Sequence, residues 1–353
     1  MKKLVLISLF SGVIVGADCE GDINYQIITG SKTGTYYKIG LDLAQYVAPN
    51  ACIKLDVKNS NGSLDNAYKL ISPKYPKLKF AIVQNDVLQE LEKRANNGDK
   101  KASILFKKLR VIRPLYNEEI HIIARANDDT INSFTDLKDK RLAIGKPKSG
   151  TALTSLVLYR ELFGKKLDLK KTKAESFKKS LKDLKNNKID AIIKVAGQPV
   201  YRLQKKMQKD ANKLIKLVPY DEKSSNVKSY YTADIYADSY PWLNENIPTL
   251  TTKAFLITYN YTNKGTINNI YKFAKSLQNK LSYLQENAND DSNTPHPKWK
   301  QISSECLSEL PGNWKYHGAV IKACNDLKNN PTKNNNVNNC TEEDKILGLC
   351  DDD

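Results

Sequence analysis

The stretch TGSKTGTYYKIGLDLAQYVAP, residues Thr29 to Pro49, contains the pattern that decides the fold. A β-like run, INYQIIT (Ile23 to Thr29), precedes a loop of small and hydroxylated residues, and an apolar-striped helix follows from about Thr35. The first N–H groups of a helix are unpaired and lie at the positive end of its dipole, which favours an anion. The pattern therefore indicates either an anion-binding loop or a capped surface turn.

The side chains of this loop suit a polar ligand. Ser31, Thr33 and Thr35 offer hydroxyls, Lys32 adds positive charge, and Gly34 allows a positive φ or a close approach to the backbone. The loop contains neither the GxxxxGKS/T pattern nor the GxGxxG pattern, so a nucleotide is not implied.

Two further strand, loop and helix units follow. CIKLDVKN (52–59) alternates apolar and polar residues and leads through NSNGS to a helix, for which Ser63 is the expected N-cap. KFAIVQ (79–84) leads through Asn85 and Asp86 to another helix. Alternating strands and helices predict a parallel sheet with helices on both faces, in which a ligand lies at the carboxyl ends of the strands. The loops SKTGT, NSNGS and QND are expected to meet there.

A second set of alternating units predicts a second lobe. LRVIRPLYNEEIHIIARA is interrupted at Arg113 and Pro114, and we interpret it as a strand that leaves the first lobe. It is followed by a predicted strand, RLAIG, the loop KPKSGTA and a helix that ends before Gly164. A second predicted strand, IDAIIK, and the AGQP turn come next. If TTKAFLITY (251–259) returns to the first sheet, the second lobe is an insertion and two strands form a hinge. The predicted bounds are 1–17 for a signal peptide, 18–113 and 225–329 for lobe I, 114–224 for lobe II, and 330–353 for a polar tail.

The start of the chain predicts export. Residues 1–17 combine MKK, an apolar run from Leu4 to Val15 and a small-residue end at Ala17, as in a cleaved secretory signal, and no internal run reaches transmembrane length. The 353-residue chain has a formal charge of +17, but its excess comes from dispersed Lys with only seven Arg, and no basic recognition helix or aromatic-studded basic strand set occurs. We therefore do not expect nucleic acid as a partner.

Six cysteines in an exported chain indicate disulfides rather than a metal site. Cys19 and Cys52 each precede a predicted strand and can meet if those strands are parallel neighbours. The remaining four would then pair among themselves, in an order that the sequence does not choose: Cys306, Cys324, Cys340 and Cys350. No CxxC pair is present, and we expect neither a metal nor a cofactor.

Several segments together resemble the TAXI class of periplasmic solute receptors, which serve tripartite ATP-independent (TRAP) transporters. The matching segments run in the family's order from Ile23 to about Ile302: GSKTGTYYKIGLDLA, VKNSNGSLDNAYKLI, FAIVQNDV, RPLYNEEIHIIAR, FTDLKDKRLAIGKPKSGT, LKNNKIDAIIKVAGQPV and HPKWKQI. The resemblance implies an α/β, type II-like periplasmic binding protein, with two lobes of mainly parallel sheet flanked by helices and a two-strand hinge. It also implies a monomeric periplasmic receptor that binds a small carboxylate, either a glutamate-like amino acid or a dicarboxylate, and delivers it to TRAP membrane subunits.

The resemblance also implies which residues contact the ligand. Those of the first lobe are Ser31, Thr33, Gly34, Thr35, Tyr36, Asn61, Gly62, Ser63 and Gln84, and those of the second are Ser149, Gly150, Thr151 and Gln198. The sequence departs from the family where Lys32 or Thr33 replaces a second glycine, and ELPGNWKYHGA replaces the histidine-proline-glycine segment near the C-terminus.

Two other functions are compatible with parts of the sequence. The same lobes can act as a ligand sensor for a receptor kinase or chemoreceptor, and the sequence does not separate sensing from transport. An enzyme would need His121 or the pair Glu118 and Glu119 as acid and base. Adjacent strand residues point to opposite faces, so a hinge carboxylate that contacts a ligand amine is the simpler interpretation of Glu118, and we expect no catalysis. Arg113, Arg125 and Arg141 can grip a carboxylate or form salt bridges.

Overall fold

The computed structural model describes Cys19 and residues 23–205, 209–222, 227–289, 291 and 293–329. The signal peptide expected at residues 1–17 and the tail expected at residues 330–353 lie outside these ranges. None of the helices within them is long and apolar enough to cross a membrane.

Strands and helices alternate through most of the described chain. The strands are β1 Ile23–Ile28, β2 Ile53–Lys58, β3 Leu78–Gln84, β4 Leu109–Arg125, β5 Leu142–Ala143, β6 Thr172–Lys173, β7 Ala191–Ala196, β8 Ile215–Leu217, β9 Tyr231–Ile235 and β10 Ile247–Tyr259. The α-helices are α1 Thr35–Asp42, α2 Ser63–Leu70, α3 Asn85–Asn96, α4 Lys100–Lys108, α5 Gly150–Phe163, α6 Phe177–Lys185, α7 Tyr201–Lys205, α8 Lys264–Glu286 and α9 Gly318–Asn329.

The strands form one sheet in the order β2-β1-β3-β10-β4-β7-β5-β6, with β8 beside β4 and β9 beside β10. β1 is parallel to both β2 and β3, and β5 is parallel to both β6 and β7. The two parallel halves are joined by β10 and β4, which pair antiparallel. The predicted two-lobed architecture with mainly parallel sheets and a two-strand hinge is confirmed.

β4 and β10 pass from one lobe to the other without interruption. β10 pairs with β3 of lobe I through residues 254–258 and with β9 through residues 247–251. β9 lies on the lobe II side, since Ile235 packs with Ile192 of β7 in one hydrophobic cluster. Within β10 the chain therefore passes from the end that pairs with β9 to the end that pairs with β3. The lobe bounds given in the sequence analysis, including the one at residue 225, stay predictions.

Three hydrophobic clusters hold the layers together. One lies under α8 and α1 on the outer face of the lobe I sheet and contains Phe80, which stacks on Phe273 with ring centroids 4.4 Å apart. A second covers the outer face of lobe II around Leu184 and Trp242. The third is shared by both lobes, so their sheets have one continuous core on that side. Burial of these apolar faces is the main driving force for this arrangement.

The starts of α1 and α2 illustrate one correct and one incorrect prediction. α1 begins at Thr35, as its loop predicts. Gly34 does not adopt a positive φ, since its φ is −95°. The N-cap of α2 is Gly62 rather than Ser63, because the chain turns there with φ +124°, a conformation that favours glycine.

Two disulfides link the ends of lobe I to its core. Cys19 pairs with Cys52, with Cα atoms 5.4 Å apart, because β1 and β2 are parallel neighbours. Cys306 pairs with Cys324, with Cα atoms 5.7 Å apart. Cys340 and Cys350, which were expected to pair within the same group, lie outside the described residues.

Candidate functional site

A cavity of about 300 Å³ lies between the lobes, at the carboxyl ends of the strands. The three expected loops of lobe I reach it, through Ser31 of the first, Asn61 of the second and Gln84 of the third. Lobe II contributes the turn before α5, the start of α6 and the end of β7. The parallel strands of each lobe end at this cleft, and this is why segments far apart in sequence converge on it.

Twelve of the thirteen residues predicted to contact a ligand line the cavity. They are Ser31, Thr33, Gly34, Thr35, Tyr36, Asn61, Gly62, Ser63, Gln84, Ser149, Gly150 and Thr151. The structure gives the position of these residues in the cavity wall, and their contact with a ligand stays a prediction.

Gln198 is the exception. Its side-chain Oε1 accepts from Tyr236 N at 2.8 Å and from Ser239 Oγ at 3.0 Å, and its Nε2 donates to Asp234 O at 2.9 Å. The side chain is thus used to hold the β9 segment, and the neighbours Gly197 and Pro199 line the cavity instead.

Glycine caps leave helix starts open toward the cavity. The N-caps of α1 and α2 are Gly34 and Gly62, and neither supplies a side-chain hydrogen bond to the first turn. α5 differs, since Ser149 Oγ accepts from Ala152 N at 3.1 Å. Tyr37 N of α1 donates to Gly34 O at 3.1 Å and Asp65 N of α2 donates to Lys148 O, so the N–H groups that face the cavity are those of the first two residues of each helix. These groups and the positive ends of the two helix dipoles favour a negatively charged group in the cavity.

The lobes touch directly beside the cavity. Asp65 N donates to Lys148 O across the gap at 3.0 Å. A Cβ atom on Gly62 would lie 3.3 Å from Ser149 Cα, and one on Gly150 would overlap Gln84 Oε1. Only glycine allows the two loops to approach so closely, so the structure shows the closed arrangement of the lobes.

A buried carboxylate adds a second contact between the lobes. Asp86 Oδ2 at the start of α3 accepts from Thr154 Oγ1 of α5 at 2.5 Å and from Tyr230 Oη at 3.0 Å. Burial raises the pKa of Asp86 to about 6, and these hydrogen bonds partly offset that rise.

The cavity wall carries more positive than negative charge. Its cationic side chains are Lys146, Lys178, Lys194 and Arg202, and its carboxylates are Glu118 and Glu175. None of these cations was predicted. Lys194 could have been predicted from the sequence, because it interrupts the apolar run IDAIIKVA of a buried strand. A charged residue at such a position needs a polar environment.

The arginines considered from the sequence do not reach the cavity. Arg113 is buried and donates to Gln278 Oε1 at 2.5 Å and to the backbone oxygen of Ser303 at 2.6 Å. Arg125 bonds Asp128 Oδ2 at 2.7 Å, and Arg141 bonds Asp190 Oδ1 at 2.6 Å. All three act in structural contacts.

Glu118 and Tyr36 form the polar base of the cavity. Tyr36 Oη donates to Glu118 Oε2 at 2.6 Å and lies 3.2 Å from Ser63 Oγ. Burial raises the pKa of Glu118 to about 7, while the Tyr36 hydrogen bond and the charge of Lys194 oppose the rise. Burial lowers the pKa of Lys194, and Glu118 partly offsets this effect.

The residues of the enzyme hypothesis are separated. Glu118 lines the cavity, whereas Glu119 points to the other face of β4, where its Oε1 lies 2.7 Å from Lys298 Nζ. His121 is fully buried, with its Nε2 2.7 Å from Tyr240 Oη, and burial lowers its pKa to about 3. Within the described part of the chain, no group of three or more His, Cys, Asp or Glu can hold a metal ion.

Two lobes on a two-strand hinge with a polar cleft between them are the architecture of the periplasmic binding protein fold. Residues 27–309 match the NMT1-like family, and the chain belongs to that family. Membership of the TAXI class within it stays a prediction.

Several solved structures are similar to this chain. A conserved gene product of Candida albicans, which defines a new family with the generic periplasmic binding protein fold, has a TM-score of 0.51 at 14% identity, covering 94% of this chain and 92% of its own. The periplasmic binding protein BugD has a TM-score of 0.46 at 13% identity, covering 88% and 97%. A putative sulfonate-binding protein, SsuA from Methylobacillus flagellatus KT, has a TM-score of 0.46 at 15% identity, covering 87% and 96%.

Proposed function

We propose that this protein is a periplasmic solute receptor. It captures a small carboxylate, either a glutamate-like amino acid or a dicarboxylate, between its lobes and delivers it to the membrane subunits of a TRAP transporter. The observation that carries the proposal is the cavity itself, in which helix starts without side-chain caps and four cationic side chains surround a space of about 300 Å³. That volume lies at the lower end of the range of about 300–1,000 Å³ for small-molecule sites.

The charge of the cavity supports an acid as the solute. Lys146, Lys178 and Arg202 line the cavity from lobe II, and the starts of α1 and α2 line it from lobe I. A carboxylate held between them receives charge-assisted hydrogen bonds from both lobes at once, so binding stabilises the closed arrangement. Glycines at the contact points permit that closure without a steric barrier.

Calorimetric titration tests acid capture. The chain starting at Asp18 is titrated with L-glutamate, L-aspartate, glutarate, succinate, glucose and putrescine. We expect at least one acid to bind and the sugar and the diamine not to bind. Binding of the neutral or cationic probes without any acid would refute the proposal.

A matched pair of variants locates the binding. Lys146→Met with Lys178→Met removes two charges from the cavity wall, whereas Lys166→Met with Lys170→Met removes two charges from exposed positions of lobe II outside it. Because both double variants lower the net charge by two, general attraction of anions changes equally. We expect the cavity variant to lose at least about tenfold in acid affinity and the control less than about threefold.

Delivery is tested separately, in vesicles that contain TRAP membrane subunits from the same genome. The proposal predicts uptake of the bound acid that requires this protein and does not require ATP. Acid binding without stimulated uptake would leave capture intact and refute delivery. Stimulation of a receptor kinase by the loaded protein would then identify a sensor.

A further inference from the structure

The Glu118 carboxylate is buried at the base of the cavity and forms no salt bridge with any residue that the structure describes. Its side chain comes from the hinge strand β4, is 5% exposed and lines the cavity. Among the residues that the structure describes, Tyr36 Oη is its hydrogen-bond donor, at 2.6 Å, and no Lys, Arg or His nitrogen lies within 4.0 Å. A buried carboxylate without an opposite charge is unfavourable, so the site favours a cation from the ligand.

The other carboxylates nearby already have cationic partners. Glu119 pairs with Lys298, and Glu175, the second carboxylate in the cavity wall, pairs with Lys179 Nζ at 2.5 Å. Lys194 is the cation whose charge acts on Glu118, but its Nζ donates to the carbonyl of its neighbour, Val195 O, at 2.9 Å. Among the described residues, Glu118 therefore differs from Glu119 and Glu175 in having no cation at salt-bridge distance, although the charge of Lys194 still acts on it.

A hydrogen-bond donor without a partner lies along the same wall. Gln84 is 3% exposed, and its Nε2 is buried with no hydrogen-bond partner within the described ranges. Ser63 Oγ lies 3.3 Å from Gln84 Oε1 and 3.2 Å from Tyr36 Oη, so these side chains form a continuous polar chain from Gln84 to Glu118. The cavity thus presents an acceptor for a cation and a free donor for an oxygen close together.

We infer that Glu118 binds the ammonium group of the ligand and thereby selects an α-amino acid over the acid that lacks the amine. This inference rests on the proposed function. An α-amino acid carries its ammonium and carboxylate groups on one carbon, so the ammonium occupies Glu118 while the carboxylate faces Gln84 Nε2 and the open helix starts. A plain dicarboxylate instead brings a second negative charge toward Glu118, which like-charge repulsion disfavours.

Paired probes test the inference at about pH 8, above the pKa of Glu118. Each amino acid is titrated beside its amine-free counterpart: L-glutamate with glutarate, L-aspartate with succinate, and L-alanine with propionate. We expect the wild-type chain to bind the amino acid of at least one pair at least about tenfold more tightly than its counterpart. Equal or tighter binding of the counterparts would refute the inference and leave acid capture intact.

Two isosteric variants assign the preference to a residue. Glu118→Gln keeps an acceptor for Tyr36 but removes the charge, so we expect amino-acid affinity to fall at least about tenfold and affinity for the counterpart to change less than about threefold. Glu175→Gln removes the other cavity carboxylate and should keep the preference. The inference would be refuted if Glu118→Gln still preferred the amino acid over its amine-free counterpart, or if only Glu175→Gln lost that preference. If the wild-type chain binds no acid at all, the proposed acid capture is refuted, and the inference that rests on it is refuted as well.

Discussion

Lys298 Nζ lies 2.7 Å from Glu119 Oε1, and both side chains are only 3% exposed. The other oxygen of Glu119 accepts from Gln198 N at 2.7 Å. One carboxylate on the hinge strand β4 therefore connects a C-terminal turn of lobe I, Pro297–Gln301, to the AGQP turn of lobe II. Three segments that are distant in sequence meet at the hinge through this ion pair.

Removing one partner of this pair should be costly. Lys298→Met leaves Glu119 buried without its counter-ion, and we expect the free energy of unfolding to fall by about 3–5 kcal/mol. The double variant Glu119→Gln with Lys298→Met removes the unpaired charge and should recover much of the loss. Urea unfolding of both variants measures this. Lys300→Met, at an exposed position two residues away, serves as the control and should change stability by less than about 0.5 kcal/mol. A double variant no more stable than the single one would contradict the argument.

Gly150 should control closure rather than folding. A Cβ at this position would overlap Gln84 Oε1 and lie 2.8 Å from Ser63 Oγ, both in the opposite lobe. We expect Gly150→Ala to weaken acid binding at least about tenfold while its melting temperature falls by less than about 4 °C. Gly318→Ala is a matched control, because Gly318 also begins a helix but a Cβ there meets no atom within 4 Å. Unchanged affinity in Gly150→Ala would show that this contact is not part of the bound state.

Asp86 should give the unliganded protein a pH-dependent stability. Its pKa rises on folding from 3.8 to about 6, so between these values the folded chain binds more protons than the unfolded chain. The contribution of Asp86 is therefore greatest below about pH 4 and is lost as the pH rises through about 6.

The variant Asp86→Asn cannot titrate at this position. Relative to the wild type, its free energy of unfolding should increase by about 2–3 kcal/mol between about pH 4 and pH 7. Urea unfolding at a series of pH values measures the difference. Asp56→Asn, which removes an exposed carboxylate from the same lobe, controls for the change in net charge. A constant difference between Asp86→Asn and the wild type would contradict the prediction.

Amino-acid binding should weaken as Glu118 gains a proton. The groups that act on this carboxylate are Tyr36 of α1, Lys194 of β7, Asp86 of α3 and Glu119 of β4, and its pKa is about 7. Because an ammonium group binds the ionised form, affinity should fall below about pH 7 by up to about tenfold per pH unit. For the amine-free counterpart, affinity should stay constant or rise, since a neutral Glu118 repels a carboxylate less.

Titrations from about pH 5 to pH 8 distinguish these slopes. Repeating them with Asp86→Asn separates Glu118 from Asp86, a second carboxylate whose pKa lies in this range. An amino-acid affinity that rises as the pH falls would contradict the assignment of the ammonium group to Glu118.

Much of the fold was predictable because its signals are local. The helix starting at Thr35 follows from its loop, and α5 ends at Phe163, just before Gly164, whose φ of +64° is typical of the glycine that follows a helix. The pairing of Cys19 with Cys52 depended on one condition, parallel neighbouring strands, which the sheet satisfies. The boundary at residue 225 stays a prediction, because composition does not reveal on which lobe a Tyr-rich segment packs.

The sequence by itself determined the alternation of strands and helices, the polar loops after the strands, and the excess of positive charge. These follow from periodicity and residue type over short stretches. The tertiary structure alone decided that Lys194 and Glu118 reach the same cavity, that Arg113 does not, and that Glu119 is paired while Glu118 is not. These positions and pairings depend on contacts between residues far apart in the chain. No local sequence pattern specifies the distance between two such charges or how far burial removes them from water.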